Sequence, residues 1–241
     1  TGTITDATVT ATGFDNIANG AYSFDGTGDY VDVGSNSIIK RYNSSFTIAC
    51  WIYLTAYNSG EISTILSNRG ASGNSGSGSI FGILGSSASN NNEGKIQFDT
   101  SNNTSTRFIS SDSVISLNQW YHVAVTFKYN GSNSNEGIIY LNGVSDSNTV
   151  STLSDIADPS TQSTRIGYEK ISTNYTFTGS IDDVRIYNTV LSADQVYSIY
   201  NERNVVKYFD EYVTERKNLV GWWKLDESSG TTATDSSGNG Y

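Results

Sequence analysis

The chain has 241 residues, a formal charge of -10 and a single cysteine, Cys50. That charge excludes sequence-independent phosphate binding, which relies on Lys and Arg replacing counterions, so nucleic acid is not an expected partner. No apolar run approaches the roughly 20 residues a membrane span requires, and Cys50 has no second cysteine for an internal disulfide.

Only 16% of residues are charged, and Val, Ile, Tyr and Phe supply most of the apolar content, a usage suited to strands joined by polar turns. Short apolar runs bounded by turn formers predict strands at 21–24, 30–33, 46–54, 63–67, 79–84, 95–99, 120–129, 137–141, 163–167 and 180–187. Asp25-Gly26 and Asn142-Gly143 are the strongest turn signals, and 70–78 and 86–94 read as loops. Cys50 lies inside the apolar run from Phe46 to Leu54 and is expected to be a buried thiol.

The period then changes. Ser192 followed by Gln195 is a capping-box pattern, and Val196, Ile199, Tyr200, Val206, Phe209 and Val213 recur at helical spacing. One helix or two joined helices are predicted over 193–217. Leu219-Val-Gly-Trp-Trp-Lys-Leu225 reads as strand again, followed by a polar loop to Tyr241. The expected fold class is all-β, an antiparallel two-sheet β-sandwich or jelly roll with a C-terminal helical segment and a trailing strand. Its expected organisation is a sandwich over 1–190, a helical linker over 191–218 and a separate strand and loop over 219–241. The chain holds no methionine and begins at Thr1, so upstream processing or excision is expected. Sequons at Asn43, Asn102, Asn103, Asn130 and Asn174 fit an exposed surface, although a chain this rich in Asn, Ser and Thr forms them by chance.

Five segments, in order, resemble the laminin-G-like jelly rolls of the concanavalin A-like lectin/glucanase superfamily. They are Ala21-Tyr-Ser-Phe-Asp-Gly-Thr-Gly-Asp-Tyr-Val-Asp-Val33, Phe46-Thr-Ile-Ala-Cys-Trp-Ile52, Gln119-Trp-Tyr-His-Val-Ala-Val-Thr-Phe127, Ile139-Tyr-Leu-Asn-Gly143 and Gly179-Ser-Ile-Asp-Asp-Val-Arg-Ile-Tyr-Asn188. Such domains usually open with a strand like Gly221-Trp-Trp-Lys-Leu-Asp-Glu227 and a loop like Thr234-Asp-Ser-Ser-Gly-Asn-Gly240, which here stand at the end. The resemblance therefore implies a first strand displaced to the C-terminus, leaving residues 1–190 with an unpaired edge. The segment could fold back into its own domain, enter the next molecule, or reflect a chain cut out of phase from a tandem array.

Donation to a neighbour is the leading expectation, with Val220, Trp222, Trp223 and Leu225 as the assembly strand. Such a contact is head-to-tail and generates rings or filaments of identical subunits. The function expected is a non-catalytic, extracellular or cell-surface structural or adhesive subunit. The alternative is a carbohydrate-binding, lectin-like module or one repeat of a larger adhesin, with glycans as partners.

The resemblance also implies a structural Ca2+, with Asp235 and Asp182 as side-chain ligands and Gly238 and Gly240 contributing carbonyls; Asp183 belongs to the same candidate set. Strict alternation over 181–187 puts Asp182 on the face of Val184 and Ile186, and Asp183 on the face of Arg185, with which it can simply pair. Turn-stabilising aspartates are the competing reading. His122 has no partner visible in sequence for general-base work and is expected to be structural. No strand carries the two spaced carboxylates that glycoside hydrolysis uses, and Asp210, Glu211 and Glu215 read as a solvated helical face. Tyr57, Tyr129, Tyr168 and Tyr175 are candidates for stacking on sugar rings.

Overall fold

The structure is a computed structural model that describes residues 1–36, 42–70, 76–88, 92–147, 152–159, 162–169, 175–202 and 218–241. Two antiparallel sheets pack face to face. The first runs, edge to edge, through β16 (Thr232–Ala233), β1 (Gly2–Thr5), β4 (Tyr30–Gly34), β13 (Thr164–Ile166), β6 (Ile62–Ser67), β7 (Ser77–Leu84), β8 (Lys95–Asn102) and β9 (Thr106–Val114). The second runs through β12 (Val144–Ser145), β11 (Glu136–Leu141), β10 (Trp120–Lys128), β5 (Phe46–Leu54), β14 (Thr178–Tyr187), β3 (Ala21–Asp25) and β2 (Thr8–Ala11). A further strand, β15 (Leu219–Trp223), pairs with β14 beyond the reach of β3. This all-β jelly-roll sandwich is the expected fold class.

Alternation explains the central strands. Along β5, Phe46, Ile48, Cys50, Ile52 and Leu54 enter the core between the sheets, while Ala49 packs outside it. Phe46 meets Phe98 edge-on at 6.0 Å and Phe127 at 5.2 Å, tying β5 and β10 of one sheet to β8 of the other. Cys50 is buried as expected, and burial pushes its thiol pKa up, so it carries no reactive thiolate.

Turn chemistry is equally local. Asn142 and Gly143, both at positive φ (50° and 79°), join β11 to β12 in a tight hairpin. Asp25-Gly26 also turns the chain, yet it carries it from β3 in one sheet to β4 in the other rather than closing a hairpin. Strands β9 and β16, missed by pattern, are polar and lie at sheet edges.

The predicted helix is present as α1 (Ala193–Tyr200). Ser192 accepts from the Gln195 backbone N–H while the Gln195 side chain caps Ser192 in return, and α1 buries Val196 and Ile199 on the outer face of the second sheet. The helix ends at its C-cap Asn201, and residues 203–217 of the predicted stretch, including Val206, Phe209, Val213, Asp210, Glu211 and Glu215, lie outside the described residues. Among the described residues no helix is long and apolar enough to cross a membrane.

Of the three arrangements expected for 219–226, the single chain shows the strand paired within its own sandwich. Val184 lies opposite Trp223, Arg185 opposite Trp222 and Ile186 opposite Gly221. β3 covers β14 only from Thr178 to Ile181, so the remainder of that edge is open within the same chain. A bulge between Ile186 and Tyr187 breaks alternation in this pairing, so that Val220, Trp223 and Leu225 all enter the core while Leu219 and Trp222 pack on the α1 side. Trp223 is 0% exposed. Beyond it, β16 pairs with β1, so the C-terminal segment joins both sheets.

Candidate functional site

Of the residues singled out around the C-terminal strand, Asp182, Asp183 and Trp222 meet in one cleft on the outer face of the second sheet. β14 carries a bulge between Asp182 and Arg185, where Asp183 adopts φ 53°. The extra residue overturns strict alternation: Asp182 does not share the core face of Val184 and Ile186 but lines an outer cleft with Asp183 and Arg185. Asp183 pairs with Arg185 through Nε at 3.0 Å and Nη2 at 2.8 Å, and also accepts the Trp222 indole N–H. The same guanidinium holds Glu202 at 2.9 and 2.6 Å.

This cleft, about 360 Å³, runs between α1, the β2–β3 loop and β15. Asp182 is 4% exposed and accepts the Phe14 backbone N–H at 3.2 Å. A Cβ on Gly13 would stand 2.8 Å from Asp182 Oδ2 and 2.9 Å from the Gly20 carbonyl, so glycine is what lets the loop come this close. Burial, with Asp183 and Asp15 adding like charge, pushes the Asp182 carboxyl up to about 8. Phe14 stacks on Trp51 at 4.2 Å and Trp51 on Tyr200 at 5.6 Å, while Arg185 and Lys224 both lie over the Trp222 ring. The cleft's charges and rings are largely engaged with one another.

The carboxylates expected to hold calcium are each engaged with protein partners. The Asp235 carboxylate accepts from the backbone N–H groups of Trp222, Ser237 and Tyr241 and from the Ser237 hydroxyl, at 2.9–3.0 Å. It organises a turn, and those hydrogen bonds lower its pKa against the effect of burial. Gly238 and Gly240 sit in that turn at positive φ, 89° and 78°. Asp183 belongs to Arg185 and Asp182 to the Phe14 loop. Among the described residues no group of three or more His, Cys, Asp or Glu is placed to hold a metal ion. His122 is buried between Trp51 and Tyr200 with neither ring nitrogen hydrogen-bonded, and burial holds its pKa down at about 3, which fits a structural rather than a basic role.

The four tyrosines separate. Tyr57 donates to the Ile115 carbonyl at 2.7 Å and Tyr129 packs on the core, so both serve the fold. Tyr168 stacks with Tyr30 at 5.8 Å beside Arg165. Only Tyr175 borders a second cleft, of about 270 Å³, on the outer face of the first sheet.

That second cleft is built by register. On β8, Ile96 and Phe98 point into the core, so Gln97 and Asp99 point out; on β9, Ile109 points in, so Phe108 and Ser110 point out. Asp99 lies directly opposite Phe108, and Gln97 opposite Ser110. Gln97 donates to Asp99 Oδ1 at 2.8 Å and accepts from Ser110, which holds its amide in place. Asp99 is 7% exposed, and burial raises its carboxyl to about 6, with Arg69 opposing and Glu61 adding to the rise. Tyr175 donates its hydroxyl to Glu61 at the wall. Phe108, at the rim, is 63% exposed.

The cleft thus combines an open aromatic ring with hydrogen-bonding groups fixed at its floor. Phe108, Asp99, Gln97, Arg69 and Glu61 are not among the site residues expected from the sequence. The one available signal was the adjacent pair Phe108-Ile109 in a polar stretch, of which only one can face inward.

Two sheets in this order, with a shallow polar and aromatic cleft on one outer face, define a jelly roll of the lectin type. The chain belongs to the concanavalin A-like lectin/glucanases superfamily, whose laminin-G-type family model matches residues 25–197. A candidate carbohydrate binding protein from Bacteroides ovatus is 20% identical at a TM-score of 0.63, covering 91% of this chain and 56% of that one. This chain therefore spans little more than half of that protein. The heptameric pentraxin of Limulus polyphemus is 19% identical at 0.55, with 78% and 87% covered. A CBM40 domain of the Ruminococcus gnavus IT-sialidase, bound to α2,3-sialyllactose, is 17% identical at 0.55, with 75% and 96% covered. At these identities the likeness is one of fold. No curated protein sequence matches the chain.

Proposed function

We propose that this chain is a non-catalytic carbohydrate-binding module of an extracellular or cell-surface protein, with its glycan site in the cleft at Asp99 and Phe108. The observation that carries the reading is an aromatic ring 63% exposed directly across from a buried, oriented carboxylate. Sugar rings present apolar C–H faces that stack on such a ring, and hydroxyls that satisfy fixed acceptors. The fold's likeness to a candidate carbohydrate binding protein and to a CBM40 domain supports the same reading.

The pairing of β15 in cis supports the single chain as the binding unit. Head-to-tail exchange of 219–226 would reuse the same β14 edge and is not needed to complete the sandwich. A structural calcium at Asp235 is likewise not required by this reading, since backbone and hydroxyl donors already fill that carboxylate.

The test is a glycan array with the wild-type chain and Phe108→Ala. Binding that the substitution abolishes, at unchanged melting temperature, supports the site; binding untouched by it moves the site elsewhere. Turnover of glycoside substrates in parallel assays, drawing on Glu61 and Asp99 in the one cleft, would overturn the non-catalytic assignment.

A further inference from the structure

The charge and hydrogen-bond inventory of the second cleft bears on which sugars it takes. Resting on the carbohydrate-binding reading above, we propose that it accepts uncharged sugars through a hydroxyl donated to Asp99 and rejects sugars that carry a carboxylate or sulfate. Among the described residues its lining holds two carboxylates, Glu61 and Asp99, against one cation, Arg69. The chain as a whole carries 24 acidic against 14 basic residues, so the longer-range field has the same sign.

Asp99 sets the polarity of the floor. Its single side-chain hydrogen bond among the described residues comes from Gln97 Nε2 to Oδ1, which leaves Oδ2 as an acceptor. Burial raises its carboxyl to about 6, so at neutral pH the group is largely ionised. A buried carboxylate with an open acceptor calls for a donor from the ligand, because leaving it unmatched is costly. A hydroxyl supplies that donor. A second anion supplies only further acceptors and a like charge across a partly desolvated gap.

Arg69 offsets only one of the two carboxylates. Its Nη2 reaches Thr106 Oγ1 at 3.4 Å, and its charge acts on Asp99, so it is placed as a counter-charge to the floor. Recognition of an acidic sugar calls for a bidentate fork free to meet the ligand's own carboxylate. Gln97 adds no charge to the floor: one amide N–H serves Asp99 and its oxygen takes Ser110.

The experiment is a glycan array at pH 7.5 and moderate salt that pairs neutral glycans with their sialylated, sulfated and uronic-acid counterparts, followed by calorimetry on the best pair. The expected result is binding to neutral glycans at least tenfold tighter than to acidic counterparts. Asp99→Asn is expected to weaken neutral binding by about tenfold and to narrow the gap to acidic glycans, and circular dichroism on the variant checks that the fold is kept. Acidic glycans binding as tightly as neutral ones, or tighter, with loss in Phe108→Ala, overturn the charge selection and leave the carbohydrate-binding reading standing. An array with no bound glycan overturns that reading, and the selection with it.

Discussion

Val184 of β14 stands opposite Trp223 of β15, so the end of the chain closes the sandwich that its beginning opens. Trp223 is the largest fully buried side chain, and it packs in the same core as Phe46, Phe98 and Phe127. Trp223→Ala is therefore expected to cost about 3–5 kcal/mol, read from the midpoint of urea denaturation. Trp222→Ala, on the half-buried α1 side, is expected to cost less. If the strand is seated in its own chain, both variants and the wild type elute as monomers at micromolar concentration.

Arg185 carries the polar side of the same seam. Its side chain is buried, and it satisfies Asp183 and Glu202 together. Truncation to Ala leaves two carboxylates without their cation, and a loss of about 3–5 kcal/mol is expected. Glu202→Gln on the Arg185→Ala background should recover part of that loss. Chemical denaturation of the two single variants and the double variant checks this, and strictly additive losses would mean that the pair is not coupled.

Two buried groups give the stability opposite pH dependences. His122 titrates at about 3 in the fold against 6.5 free, so the unfolded chain binds the extra proton in that window, and stability falls as pH drops from 6.5 towards 3. Asp182 titrates at about 8 against 3.8, so here the folded chain binds the extra proton, and stability falls as pH rises from 3.8 through 8. Asp99, at about 6, has the sign of Asp182 over the narrower window from 3.8 to 6. Between pH 6.5 and 8 Asp182 dominates, so Asp182→Asn is expected to flatten the melting-temperature decline there. His122→Phe removes two buried nitrogens that have no hydrogen bond and is expected to be neutral or stabilising by about 1 kcal/mol, while flattening the acid limb.

Asp235 joins β15 to the last turn through three backbone N–H groups and one hydroxyl. Asp235→Ala leaves those donors unmatched and is expected to cost about 1–3 kcal/mol. Because its carboxylate is already filled by the protein, adding calcium or a chelator is expected to leave the melting temperature of the wild type unchanged. A calcium-dependent rise of several degrees that Asp235→Ala abolishes would instead place an ion at this turn.

Much of this molecule is written locally. Alternation in β5, the Asn142-Gly143 hairpin and the Ser192–Gln195 capping box follow from short-range sterics and hydrogen bonding, and each was readable from neighbouring residues, as was the pairing of Asp183 with Arg185. The bulge at Asp183 was not, because an extra residue in a strand becomes visible only against its partner strand, and with it went the face that Asp182 occupies. The destination of Leu219–Trp223 was not readable either: it depends on β3 stopping at Ile181 on the β14 edge, a matter of sheet topology. The candidate site lay furthest from view. Glu61, Arg69, Asp99, Phe108 and Tyr175 come from separate stretches of chain with no shared period, and only the β8–β9 register sets Asp99 across from Phe108. The sequence determined which elements form, since that is decided within a few residues; the tertiary structure decided which of them meet, since strand order and register arise between segments far apart in the chain.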